Sequence, residues 1–140
     1  MELAEPDARA RFAAAAVAHL ATVDERGQPH VVATTFAVDG DRIVLAVDRK
    51  PKRTQNLKRV RNIRRNPKVA LLVDHYEDDW ARLWWVRADG TARVLEAHAD
   101  RQAPVRLLRD KYGQYRDDPP DGPVIEVAVS RWTGWSAAGG

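Results

Sequence analysis

The chain has 140 residues and no cysteine, so it can form no disulfide framework, thiolate metal site, iron–sulfur cluster or thiol nucleophile. Its only serines, Ser130 and Ser136, lie near the end without nucleophile-elbow glycines around them, which argues against serine hydrolysis. No apolar run is long enough to cross a membrane, and Arg9 and Arg11 ahead of a short alanine run do not make a signal peptide, so a cytoplasmic protein is expected. No dinucleotide fingerprint or Walker-type loop is present. The four histidines, His19, His30, His75 and His98, are scattered without metal-ligand spacing, and no metal is expected. Such a chain fits one domain, 1–140, and any redox chemistry needs a borrowed cofactor.

What is present is unevenly distributed. The stretch from Arg49 to Lys68, RKPKRTQNLKRVRNIRRNPK, holds ten of the 23 basic residues and no acid. The rest of the chain carries 13 basic residues against 20 acids, a balance of −7, so the net charge of +3 conceals a strongly dipolar arrangement. Within the stretch Thr54 can cap a helix whose Leu57, Val60 and Ile63 recur at helical spacing, with Asn66-Pro67 ending it. Loop cations beside a helix N-terminus suit a phosphate or carboxylate, and a solvated basic face is the bland alternative. A pI near 9.5 also invites a nucleic-acid reading. That reading ranks low, because the exposed aromatic residues do not alternate with the basic ones.

A first helix is predicted over Glu5–Ala18, where Pro6 suits an early helical position. Three β-rich runs follow, 19–23, 29–38 and 42–47, separated by Asp24–Gln28 and by the sharper Asp39-Gly40 turn, and they read as an antiparallel meander. Strands resume at Val69–Asp74 and Leu83–Leu95, where Asp89-Gly90 marks a bulge or tight turn. A helix over Ala99–Tyr112 and a strand over Val124–Trp132 complete the pattern. In that strand Val124, Glu126, Ala128 and Ser130 alternate with Ile125, Val127, Val129 and Arg131, and a frayed tail follows over 136–140. The expected fold is mainly β: a small six-stranded antiparallel barrel with a few helices. The acids Glu77, Asp78 and Asp79 are expected to pair with the basic stretch, in the same chain or in a partner, and His75 and Tyr76 are weighed as proton donors against a structural role.

Two segments, HLATVDERGQPHVVATTFAVDGDRIVLAVD and NIRRNPKVALLVD, resemble the split β-barrel flavin and deazaflavin oxidoreductases related to pyridoxamine 5′-phosphate oxidase, the FMN-binding-protein-like fold. The longer DRKPKRTQNLKRVRNIRRNPKVALLVDHYEDDWARLWWVRADG is similar to the subgroup that uses coenzyme F420, and the Arg/Ala/Asp-rich composition suits a high-GC actinobacterium. The resemblance implies a homodimer with the cofactor in a groove at the subunit interface and a small-molecule substrate. By position, Thr34, Thr35 and Phe36 would line the cofactor, while Lys50, Lys52 and Arg53 would meet its phosphate or tail, with Arg59 and Asn62 nearby. Many relatives carry a lysine where this chain has Arg59. Trp80, Trp85 and Trp132 would approach the ring from the partner subunit. F420, a polyanion with a phosphodiester and an oligoglutamate tail, suits an acid-free basic groove. The alternatives are an FMN-binding oxidase or reductase on the same fold, and a non-enzymatic F420 carrier.

Overall fold

The computed structural model describes residues 1–47 and 53–138, and side chains within that range other than those of 53–57. Helix α1 spans Glu5–Ala14, followed by strands β1 (Ala18–Val23), β2 (Pro29–Thr34), β3 (Ala37–Asp39) and β4 (Arg42–Ala46). Helix α2 (Arg53–Arg65) leads into β5 (Lys68–His75). A single 3-10 turn, Trp80–Arg82, precedes β6 (Trp84–Leu95). Helices α3 (His98–Lys111) and α4 (Gly113–Asp117) then lead to β7 (Val124–Ser136).

All seven strands belong to one antiparallel sheet, in the order β2-β1-β5-β6-β7-β4-β3. It is mainly β with few helices, as expected, but has seven strands rather than six. The sheet does not close. Its two edges, β2 and β3, are consecutive in sequence and separated only by Thr35 and Phe36. The run read as one strand, 29–38, is therefore two strands that do not pair with each other, so the first strands form two hairpins rather than a meander.

The break has a visible cause. The Tyr112 hydroxyl accepts from the Phe36 backbone N–H at 3.1 Å and lies 2.9 Å from the Phe36 carbonyl, while Tyr115 Oη is 2.8 Å from Thr35 Oγ1. The Phe36 ring turns into the core, 4.9 Å from the ring of Phe12 on α1. Side-chain anchors here replace the sheet ladder. Helix α1 stops at Ala14, short of Ala18, because Ala18 already pairs with Thr34 in β1 and tertiary pairing overrides alanine's helical propensity.

The sheet's long strands are β6 and β7, whose register shifts between Asp89 and Gly90. Asp89 pairs with Arg131 and Gly90 with Val129, so Ser130 is the extra residue, its hydroxyl donating to the Asp89 carbonyl at 3.0 Å. A bulge shifts the two-residue alternation by one. Ile125 and Val127 face the core before it; Trp132, Gly134 and Ser136 do so after it. This corrects the expected face of Arg131, which is exposed, and makes Ser136 a buried strand residue rather than part of a tail.

Lys111, at the end of α3, holds its ammonium 3.6 Å from the Phe36 ring centroid, with no hydrogen-bond partner among the described residues. Burial pushes its pKa down to about 8, from an ordinary 10.5. Between those values the unfolded chain binds more protons, so this group's contribution to stability rises with pH from about 8 to 10.5, and its penalty is fully present below 8. Lys111→Met keeps the apolar stem over Phe36. After allowance for screening and for the cation–π attraction, it is expected to stabilise the fold by about 1 kcal/mol near neutral pH and to abolish the alkaline rise. Urea denaturation at about pH 7 and about pH 10 reads both effects.

Candidate functional site

Alternation along β1, β2, β5 and β6 leaves one outer face of the sheet uncovered. Val31 pairs with Ala21, Ala21 with Ala70, His19 with Leu72 and Leu72 with Arg87, all outward. They line a shallow depression of about 560 Å³, with Trp85 and Tyr76 at one end and the polar groups of His19, Asp74 and Arg87 around it. Ala21 and Ala70 keep the floor flat. Val31 is 61% exposed, and Leu72, Tyr76 and Trp135 are exposed as well, an apolar surface of the kind that ligands or partner chains cover. A floor of small and aliphatic residues ringed by a few polar groups suits a planar ring system.

The second candidate element is α2. Its Val60 and Ile63 enter the core, as the helical spacing predicts, whereas the side chain of Leu57 lies outside the described residues. Asn62 and Arg59 share that buried side. Asn62 Nδ2 donates to Thr22 Oγ1 at 3.1 Å, and His30 stands opposite Thr22 in the β1–β2 pair. Arg59 is only 8% exposed, and its Nε has no hydrogen-bond partner among the described residues; the same holds for His30 Nδ1. Burial lowers the pKa of Arg59. His30 is lowered by burial first, then by the charges of Lys58 and Arg59, against a small opposing effect of Asp24. A buried guanidinium beside an orphaned imidazole nitrogen is a costly arrangement that an anion would relieve. The donor set thus fits the acidic part of a phosphate-bearing cofactor.

The sequence-predicted residues fall in several places. Arg59 and Asn62 come together. Trp85 lies in the outer depression, and Trp80, 77% exposed, sits on the 3-10 turn between β5 and β6. Thr34 and Thr35 lie at the break between the sheet edges, where the Thr34 hydroxyl donates to the Thr35 carbonyl at 2.9 Å. The rings of Phe36 and Trp132 are taken up by the core; Trp132 packs edge-on against Phe12 and donates its Nε1–H to Asp41. Lys50 and Lys52 lie outside the described residues, as does the side chain of Arg53.

The acidic segment does not meet the basic stretch among the described residues. Glu77 contacts His75 and lies 3.6 Å from Arg82 Nε, and Asp79 caps the 3-10 turn. The basic helix instead pairs Arg64 with Glu96 and Arg65 with Glu25, each at 3.0 Å. His75 also stacks on Trp84, a structural use. His19 and His30 read in the sequence only as scattered histidines, and Leu72 and Arg87 carry no signal there, because their placement depends on which strands are neighbours.

An open antiparallel sheet whose two edges are successive strands, with a cationic helix inserted before its fifth strand, defines a split-barrel domain. The chain matches the pyridoxamine 5′-phosphate oxidase family over residues 4–136 and belongs to it. No curated protein matches the chain. Among solved structures, a conserved hypothetical protein of Mycobacterium tuberculosis is similar at 20% identity and a TM-score of 0.77, over 96% of this chain and 86% of that one. A FAD-binding protein of Mesorhizobium loti gives 18% identity and 0.76, over 96% and 95%. A heme-binding protein of Mycobacterium smegmatis gives 21% and 0.69, over 94% of this chain but 57% of that one. At these identities the likeness is one of fold. No described helix is long and apolar enough to cross a membrane.

Proposed function

We propose that the protein is a cytoplasmic, homodimeric oxidoreductase that binds coenzyme F420 and passes a hydride between the reduced coenzyme and an unsaturated, electron-poor organic substrate. The observation that carries this reading is the buried Arg59 Nε, without a hydrogen-bond partner among the described residues, on a helix whose surrounding stretch contains ten cations and no acid. A polyanionic cofactor matches that charge better than a single phosphate does. Arg59 and Asn62, with Lys50, Lys52 and Arg53, would hold the acidic part. Thr34, Thr35 and the Phe36 backbone, together with Trp80 and Trp85, would border the ring. When bound, the deazaflavin supplies the hydride chemistry, and the chain's own residues bind it, orient it and exclude water.

The uncovered face of β2, β1, β5 and β6 supports the dimer. A second copy seated there would bury Val31, Leu72 and Tyr76 and bring the outer depression of one chain beside residues of the other. Light scattering at micromolar concentration is expected to give twice the chain mass, and Leu72→Asp is expected to give a folded monomer. A wild-type monomer that still binds cofactor would contradict the shared groove.

An FMN- or FAD-binding enzyme is the second reading, favoured by the FAD-binding protein among the structural relatives. Titrating the apo protein with F420 and with FMN at fixed ionic strength, following tryptophan quenching, separates the two. Saturable F420 binding with FMN much weaker is expected. Replacing Lys50, Lys52 and Arg53 together by alanine is expected to weaken F420 binding by about tenfold or more without unfolding the chain. Unchanged affinity would remove these three cations from the site. Tight binding without turnover over a broad panel of acceptors would point to a carrier.

A further inference from the structure

Away from the sheet face and from α2, a second concave surface lies between α3, α4 and the segment leading to β7. It is a cleft of about 520 Å³, into which four arginines converge: Arg101, Arg106, Arg109 and Arg116. His98 lies at its edge, and Asp110 is the one carboxylate in its wall. Among the described residues none of the four guanidinium groups forms an ion pair, with Asp110 or any other acid. Asp117 and Asp118 border a different depression, with Thr35 and Tyr115.

Three of the four arginines are tethered by backbone carbonyls. Arg101 donates from Nε to Gly122 at 2.8 Å and from Nη2 to Pro120 at 2.7 Å. Arg109 Nη2 donates to the Arg116 carbonyl at 3.0 Å, and Arg116 Nη1 returns the contact to the Arg109 carbonyl at 3.0 Å and to that of Asp110 at 3.3 Å. Carbonyl tethers fix a guanidinium without neutralising it, and each leaves further N–H donors unused. Arg106, Arg109 and Arg116 are exposed, yet with Arg101 they line one concavity, and the carbonyl contacts hold three of the four there. Positive charge arranged in this way is pre-organised for an anion.

We infer that the α3–α4 cleft is a binding site for a small phosphorylated metabolite, distinct from the cofactor groove. Arginine's planar fork matches phosphate oxygens pairwise, and the cleft volume falls in the range of about 300–1,000 Å³ typical of small-molecule sites. The inference does not depend on which cofactor the chain uses.

The test is a pyrophosphate titration of the full-length protein followed by amide NMR shifts, with sodium chloride at matched ionic strength as reference and citrate as a second anion. Saturable shifts of residues 98–122, with a dissociation constant below about 1 mM, are expected, separate from any shifts at the cofactor site around α2. The double variant Arg106→Gln/Arg109→Gln is expected to keep the fold and weaken this binding by about tenfold or more. The alanine triple variant at Lys50, Lys52 and Arg53 is expected to retain it, which separates this site from those three cations. Shifts of residues 98–122 that grow linearly and match the chloride reference would overturn the proposal, as would saturable shifts of these residues that survive the double variant. Tighter binding of citrate than of pyrophosphate would overturn the assignment to phosphate.

Discussion

Gly90→Ala is expected to destabilise the protein by about 2–3 kcal/mol, and Gly90→Val by about 4 kcal/mol or more. A Cβ at Gly90 would stand 2.4 Å from the Ala128 carbonyl oxygen and 2.8 Å from Val127 Cγ1. The first of these is backbone of the longest strand in the sheet, at the place where the bulge already uses up its slack. Relief would require β6 and β7 to part beside a pair of core residues. Gly113→Ala is the control, because among the described residues its Cβ would approach the end of the Arg116 side chain, at 3.3 Å, and no backbone atom of another element. Urea denaturation should show a lowered midpoint for Gly90→Ala and little change for Gly113→Ala. Equal midpoints for Gly90→Ala and the parent protein would mean that the strands separate at no cost there.

Arg59→Met is expected to move stability and ligand affinity in opposite directions. Its guanidinium is buried, with no hydrogen-bond partner for Nε among the described residues, so an apolar side chain of similar length should stabilise the unliganded fold by about 1 kcal/mol. If Arg59 meets the acidic part of the cofactor, the same change should weaken F420 binding by about tenfold or more, or about 1.4 kcal/mol. Arg59→Lys should recover part of that loss, since it restores charge without the fork. Thermal melts of the unliganded protein and the fluorescence titration read the two effects separately. A stabilised variant with undiminished affinity would show that the arginine's burial has nothing to do with the cofactor.

Much of the architecture was legible because the local signals agree with one another. The Asp39-Gly40 turn, the Asn66-Pro67 end of α2 and the β character of Val69–Asp74 each rest on neighbouring residues, and Gly40 adopts the left-handed conformation a tight hairpin needs, at φ +60°. The break after Thr34 was not legible. Valine, alanine, threonine and phenylalanine there read as one strand, and the groups that interrupt it, Tyr112 at the α3–α4 junction and Tyr115 in α4, come from far along the chain. The fates of the tryptophans were hidden for a related reason. One unpaired residue, Ser130, sends Trp132 inward and Trp135 outward, and nothing in the composition of β7 marks it. The candidate site divides likewise. Charge revealed α2, but the apolar trough exists only once β1 lies between β2 and β5.

That strand order also sets how the chain must assemble. The β1–β2 and β3–β4 hairpins can form early from near neighbours, yet neither suffices as a nucleus. Arg42 must find Ala128, and Ala46 must find Val124, before the second hairpin joins the sheet. Until β7 arrives, β4 and β6 each present an unsatisfied edge rich in valine, alanine and leucine. The expected refolding time is on the order of milliseconds to seconds, and the hazard during that interval is edge-to-edge association of incomplete sheets. Slow, dilute refolding should therefore recover more protein than fast, concentrated refolding.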